Sequence, residues 1–233
     1  MTATTGKSAL IIGASRGLGY GLAAEYLDRG WQVTATVRGA GRTGLHDLAE
    51  SSGGRLIVEN ADITVPEEVA ALHDRLAGEK LDLLFVNAGV TNGPQETVAD
   101  VSTETFVRLM VTNALSPMRV IEALQDLVAP DGTIGVMSSG QGSVANNDKG
   151  GFEVYRASKS ALNQLMRSFA ARHAGDPRTL LLIAPGWVQT GLGGAAAPLT
   201  IDQSVPGVVD TIQAQAGQGG LQYLDYRGQT VRW

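Results

Sequence analysis

Tyr155 and Lys159 stand four residues apart in Tyr155-Arg156-Ala157-Ser158-Lys159, the spacing that brings a phenol and an ammonium to one face of a helix. A carbonyl that accepts a hydride develops negative charge on its oxygen and needs a proton donor within hydrogen-bond reach. Tyrosine, with an unperturbed pKa of about 10, is a competent acid near neutrality. In the alcohol-oxidising direction the phenol must act as a base, and bringing its pKa towards ~7 needs roughly 4 kcal/mol of preferential phenolate stabilisation. A nearby ammonium and the positive ring of a nicotinamide are sources of that stabilisation, so Lys159 fits an electrostatic role. Ser138 and Ser139 end an apolar run just upstream. One of the two hydroxyls should enter the same crevice and help hold the charge on the carbonyl oxygen.

A second constellation lies near the amino terminus. Gly13-Ala14-Ser15-Arg16-Gly17-Leu18-Gly19 separates the apolar run Ser8–Ile12 from a stretch with Leu18, Leu22, Tyr26 and Leu27 at helical spacing. Glycine permits a tight strand-to-helix turn and lets a pyrophosphate approach the backbone, and the helix N-terminus then favours its negative charge. The spacing is G-x-x-x-G-x-G, a variant of the commoner dinucleotide fingerprint. In such a fold the end of the second strand meets the adenosine ribose, where an acid accepts from a 2′-hydroxyl and repels a 2′-phosphate. Here that strand ends Thr36-Val37-Arg38 with no acid, Arg42 follows in the loop, and Arg16 lies within the glycine turn. Guanidinium groups around one spot suit a phosphate, which favours NADP(H) over NAD(H).

Short apolar runs alternate with helix-period stretches along the whole chain, which predicts βαβ units. The expected strands are Ser8–Ile12, Trp31–Val37, Arg55–Glu59, Leu81–Val86, Thr133–Met137, Thr179–Ile183 and Leu221–Leu224. Thr64-Val65-Pro66-Glu67 has the form of a capping box, predicting a helix to about Ala77. A long helical stretch from Thr103 is interrupted near Asn113 and Pro117, another runs from Tyr155 to His173, and a last helix spans about Asp202–Gln215. The glycine-rich segment beyond Pro185 reads as a flexible loop to about Thr200. Together these predict a single-domain, doubly wound α/β Rossmann fold over residues 1–233, with a parallel sheet of about seven strands, helices on both faces, and a substrate loop at about 187–200.

The 233 residues suffice for one full core. The formal charge of −5 and the scattering of the 18 basic residues argue against nucleic acid or anionic membranes as partners. Zero cysteines excludes disulfides and thiolate chemistry. The start MTATTGKSALII is too short for a signal-peptide core or a membrane span, so the chain reads as a cytoplasmic protein. His46, His73 and His173 show no metal-ligand spacing. Trp31 and Trp233 read as packing residues, whereas Trp187 could wall a pocket.

These motifs, in this order, resemble the short-chain dehydrogenase/reductase family along nearly the whole chain. The resemblance implies that the glycine turn holds the cofactor, that Asp62 in Asn60-Ala61-Asp62-Ile63 contacts adenine with Ile63 beside it, and that Asn87-Ala88-Gly89 follows the fourth strand against the cofactor. It implies a catalytic set of Asn113, Ser139, Tyr155 and Lys159. Asn113 would distort its helix and hold a water linking Lys159 to solvent, and Lys159 would also bind the nicotinamide ribose. Pro185, Gly186 and Val188 would border the cofactor after the sixth strand, with Thr190 beyond them near its pyrophosphate or carboxamide. Within the family, SSGQGSVANNDKGGFEVYRASKSALN, APGWVQTGLGG and LDYRGQTVRW resemble C-factor-like and sniffer-type carbonyl reductases, which share the few extra residues between Ser139 and Tyr155. Relatives often form dimers or tetramers.

Three functions follow from these readings. The first is an NADPH-dependent reductase of small carbonyl compounds that runs in reverse as an alcohol dehydrogenase. The second is a dinucleotide-binding sensor or signalling protein with vestigial enzyme residues, against which the full Asn–Ser–Tyr–Lys set speaks. The third is an epimerase or dehydratase, which would need a larger carboxy-terminal substrate region.

Overall fold

The computed structural model describes residues 6–233; the part of the amino-terminal reading that falls on Met1–Thr5 lies outside the described residues. The strands are β1 (Ser8–Ile12), β2 (Gln32–Val37), β3 (Leu56–Asn60), β4 (Leu81–Val86), β5 (Val128–Met137), β6 (Thr179–Ala184) and β7 (Gly220–Asp225). The helices are α1 (Gly17–Asp28), α2 (Gly44–Ser51), α3 (Pro66–Arg75), α4 (Thr103–Met110), α5 (Ser116–Leu124), α6 (Glu153–Arg172) and α7 (Ile201–Gln215). The sheet order is β3-β2-β1-β4-β5-β6-β7, and every neighbouring pair is parallel. The chain winds outward from β1 to β3, then returns to β4 and winds the other way. That reversal leaves a crevice at the carboxyl ends of β1 and β4, where ligands of such sheets bind.

Strand side chains alternate between two cores, as a sheet covered on both faces requires. Leu10, Ile12, Leu84, Val86, Ile134, Val136, Leu180 and Leu182 pack with Leu72, Ile121, Leu124, Leu162, Met166 and Phe169 from α3, α5 and α6. Ala9, Ile11, Leu83, Phe85, Leu181 and Ile183 face the other way, onto Leu22, Tyr26, Leu45, Val205, Val208 and Ile212 from α1, α2 and α7. Burying side chains of this size contributes about 1.5–3 kcal/mol each. Among the described residues, no helix is long and apolar enough to cross a membrane.

Two local expectations change, and a third element gains a cap. The Thr64 capping box does not form: Val65 occupies the cap without a side-chain bond, because the Thr64 hydroxyl and N–H both donate to Asp62 Oδ1, at 2.7 and 2.9 Å. The helix does begin at Pro66, and it ends at Arg75. β5 starts at Val128 rather than Thr133, with a register irregularity against β4; Pro130-Asp131-Gly132 carries turn residues that mask the early pairing. The α7 start is fixed by a capping box, in which Thr200 Oγ accepts from Gln203 N and Gln203 Oε1 accepts from Thr200 N.

Gly135 of β5 lies opposite Phe85 of β4, and a Cβ at Gly135 would sit 2.6 Å from the buried Phe85 ring. Gly135→Ala should therefore destabilise the protein by about 1–3 kcal/mol through overpacking, read as a lower urea midpoint. An unchanged midpoint would show that the ring has room to move.

Candidate active site

A crevice of about 1330 Å³ opens over the carboxyl edge of the sheet. Its wall takes in Gly13, Ser15, Arg16, Gly17 and Leu18 of the glycine turn, Arg38, Asp62 and Ile63, and Asn87, Ala88 and Gly89. It continues through Ser139, Tyr155 and Lys159 to Pro185, Gly186, Val188 and Thr190. Gly19 and Asn113 stand behind this wall and shape it.

The glycine turn is shaped for close backbone approach. Gly13 has φ +85°, and a Cβ there would lie 2.9 Å from the Ala88 Cβ. A Cβ at Gly19 would fall 2.1 Å from the Gly13 carbonyl oxygen and 2.6 Å from Asn87 Nδ2. Asn87 Nδ2 donates to that carbonyl at 2.9 Å, and the Gly13 N–H donates to Thr36 Oγ1 at 2.9 Å. Two side chains from β2 and the β4 end thus clamp the turn. No acidic residue occupies the first turn of α1 and no side chain caps it, so its amino-terminal N–H groups suit an anion. A pyrophosphate fits this cradle: the space is one that a Cβ would fill, and the donors are backbone.

Just beyond the carboxyl end of β2, Arg38 is 72% exposed at its side chain and its Nε lies 3.9 Å from Asp62 Oδ2. Burial opposes ionisation of Asp62, yet the two Thr64 donors and Arg38 hold its pKa below the usual carboxylate range. Arg42 does not join this end of the crevice. It is paired with Asp47 and Glu50 of α2, which leaves Arg16 and Arg38 as the expected arginines that line the crevice.

The Tyr155 side chain enters the crevice from the first turn of α6, which starts two residues earlier than the spacing alone suggests. Phe152 caps that helix in the left-handed region at φ 50°, with its N–H donating to the Pro94 carbonyl and its ring edge-on to Tyr155 at 6.4 Å. Burial pushes the Tyr155 phenol up to about 12, while the Ser139 hydroxyl pulls the other way by hydrogen bonding. Near neutrality the phenol therefore holds its proton. Lys159, only 3% exposed, donates through Nζ to the Met137 carbonyl at 2.8 Å, and burial lowers its pKa to about 8.

Asn113 lies in a π-helical turn, Val111–Leu115, that interrupts the α4–α5 rod, which matches the expected distortion and is a common mark of functional helices. Its side chain accepts from Val90 N and donates to the Val90 carbonyl, both at 2.8 Å, and to Ser158 Oγ at 2.9 Å. It thereby ties the segment after β4 to α6. A Cβ at Gly89 would sit 3.4 Å from Asn113 Oδ1 and 3.6 Å from Lys159 Nζ, so the two side chains meet across this glycine. Both serines line the crevice; the Ser138 hydroxyl donates to Asn163 Oδ1 at 2.6 Å, whereas the Ser139 hydroxyl accepts from Gln141 N at 3.1 Å.

Several contributors carry no motif. Tyr223 of β7 donates its phenol to the Ser139 carbonyl. Asn163 of α6 donates to the Gly142 carbonyl at 3.2 Å, steadying the turn after β5. Thr91, Pro94 and Gln95, between β4 and α4, also line the crevice. The loop after Pro185 is closed on itself: Val188 bridges Leu199, Trp187 Nε1 donates to the Gly193 carbonyl at 2.7 Å, and the half-exposed Trp187 lines the crevice. Trp187 is the pocket wall that its place after Pro185-Gly186 suggested; the others have no local signal, since each partner is set by the fold.

The buried Lys159 gives a pH test. Its folded pKa of about 8 lies below the ordinary lysine value of 10.5, so between these values the unfolded chain binds more protons and stability rises with pH. Tyr155, raised from 10.0 to about 12, acts oppositely and only above pH ~10. From pH ~7 to ~9.5 the wild type should gain about 2 kcal/mol relative to Lys159→Met in urea unfolding. Parallel pH profiles would contradict the buried ammonium.

Comparison with known proteins agrees with this geometry. A family model described as enoyl-(acyl carrier protein) reductase matches residues 13–214. A 1-hydroxy-2-glutathionyl-2-methyl-3-butene dehydrogenase of Rhodococcus sp. (strain AD45) is 30% identical over 97% of this chain and 100% of its own length. The crystal structure of a short-chain dehydrogenase/reductase from Burkholderia multivorans with bound NADP superposes with a TM-score of 0.96, at 61% identity over 97% of this chain and 99% of that one. A carbonyl reductase from Pseudomonas aeruginosa PAO1 in complex with NADP gives a TM-score of 0.91, at 38% identity over 98% of this chain and 100% of that one. The chain belongs to the short-chain dehydrogenase/reductase family of oxidoreductases.

Proposed function

We propose that this protein is an NADP(H)-dependent reductase of small carbonyl compounds, able to run in reverse as an alcohol dehydrogenase, with Tyr155 as its general acid and base. The observation that carries this reading is the buried Tyr155 phenol. It keeps its proton near neutrality and opens into the same crevice as the glycine turn. NADP bound to the Burkholderia and Pseudomonas relatives, together with Arg16 and Arg38 on the crevice wall, supports NADP(H) as the cofactor.

In this reading the backbone of Gly13–Gly19 holds the pyrophosphate, with Ser15 and Leu18 on the turn. Arg16 and Arg38 take the 2′-phosphate, and Asp62 and Ile63 flank the adenine. Asn87, Ala88 and Gly89 form the floor, while Pro185, Gly186, Val188 and Thr190 border the nicotinamide end. When bound, the reduced nicotinamide supplies the hydride to the carbonyl carbon. Ser139 holds the carbonyl oxygen by its hydroxyl, and Tyr155 gives that oxygen a proton, so the products are an alcohol and the oxidised cofactor. Lys159 then favours the transient phenolate electrostatically, and the Asn113 turn beyond Gly89 connects Lys159 towards solvent for reprotonation. The 187–200 loop, with Trp187 on the wall, closes over the substrate.

NADPH oxidation with a panel of aldehydes, ketones and quinones should detect turnover, and Tyr155→Phe should lose about 100-fold or more in kcat while still binding NADPH. A Tyr155→Phe enzyme with undiminished turnover would overturn the assignment. The sensor reading predicts NADPH binding with no turnover by either form. In the same assay NADPH should be preferred to NADH, and Arg38→Gln should narrow that preference; an NADH preference would sink the arginine argument.

A further inference from the structure

The crevice wall carries more positive charge than the cofactor and the proton transfer use. Arg16 and Arg38 serve the phosphate end and Lys159 the phenol, but Arg156 and Lys149 also line the crevice. Neither takes part in an ion pair with a carboxylate among the described residues. Arg156 follows Tyr155 on the first turn of α6 and is half-buried. Its Nε donates to the Gly151 carbonyl at 2.8 Å. That bond fixes the guanidinium by one donor and leaves the two terminal nitrogens free, the edge with which arginine binds a carboxylate in two parallel bonds. Lys149, exposed on the insertion before α6, adds a second cation to the same wall.

The acids near these two cations are directed elsewhere. Glu153 accepts from Val98 N at 2.8 Å, and Glu96 accepts from Asn92 Nδ2 and Gly93 N, each at 3.0 Å. Neither they nor Asp148 line the crevice. The carboxylates that do are Asp62, occupied by Thr64 and Arg38, and Asp225, whose Oδ1 accepts from Arg227 N and Gln229 N. An anion entering beside Arg156 therefore meets attraction without a competing carboxylate. Pro94 and Phe152, joined by a backbone bond next to Arg156, also line the crevice and offer apolar surface for a carbon skeleton.

From this arrangement we infer the substrate class: an aldehyde or ketone that carries a carboxylate at the end remote from its carbonyl, with Arg156 and Lys149 as the residues that select it. This inference rests on the carbonyl-reductase reading and narrows it.

The test is a pair of substrates of one shape and different charge, 4-carboxybenzaldehyde and methyl 4-formylbenzoate, each reduced with NADPH. In wild type, kcat/KM should favour the acid by about tenfold or more, and the ratio should shrink as salt is raised. Arg156→Gln and Lys149→Gln should each lower the acid-to-ester ratio, by about three- to tenfold. A wild-type ratio at or below one, or a ratio unmoved by both substitutions, overturns the inference. Calorimetric titration of 4-(hydroxymethyl)benzoate onto the protein with NADP+ reads the same contact without turnover. Binding that Arg156→Gln weakens supports the anion site even if both aldehydes are inert, a result that would count against carbonyl reduction alone; no binding overturns the anion site.

Discussion

Burial of the Lys159 ammonium is the constraint around which the site is arranged. A charge 3% exposed, with the Met137 carbonyl as its hydrogen-bond acceptor, is costly in a folded protein. Its lowered pKa, about 8, records that cost. Below that pH the amine is still mostly charged, and in so dry a place its charge is weakly screened. The elements around it fall into place from there. β5 supplies the carbonyl, α6 supplies the lysine and the phenol one turn apart, and the π-helical turn at Val111–Leu115 brings Asn113 to the far side of Gly89. A regular helix through residues 103–124 would present Asn113 at another angle, so the local defect is what completes the cluster.

The glycine turn follows a second logic, in which backbone does the binding and side chains only hold the backbone still. Thr36 and Asn87 each bond to Gly13, one on its N–H and one on its carbonyl. Gly19 leaves space that a single methyl group would close. The two halves of the sheet therefore meet at this residue, which explains how a short loop can hold its backbone N–H groups in a fixed row. The glycine turn, with the pyrophosphate cradle proposed for it, and the Tyr155 phenol share one continuous crevice.

Much of this was legible in the sequence, for a physical reason. Strands buried on both faces read as apolar runs, and helices on a sheet read at their own period, so the element order from β1 to β7 follows from local pattern. Tyr155 and Lys159 are legible because helix geometry alone puts them on one face. The residues that were not legible act through partners far along the chain. Tyr223 meets Ser139 across β6, Thr36 meets Gly13 across β1 and β2, and Phe152 is held in a left-handed conformation whose N–H reaches Pro94. The Thr64 motif misled because a side chain two residues away, Asp62, took both of its donors. Arg42 misled because charge counting along the chain does not reveal that Asp47 and Glu50 take it first.

The central claim is that the Tyr155 phenol sits at the reactive end of a bound pyridine nucleotide. Ultraviolet difference titration of tyrosine ionisation, with and without NADP+, tests it most directly. Without cofactor the Tyr155 phenol should ionise near its buried value of about 12. Bound NADP+ places a positive ring beside it, and one tyrosine should then ionise at distinctly lower pH, a change absent from Tyr155→Phe. If no tyrosine responds to NADP+, or the response survives in Tyr155→Phe, the phenol is not where the account needs it.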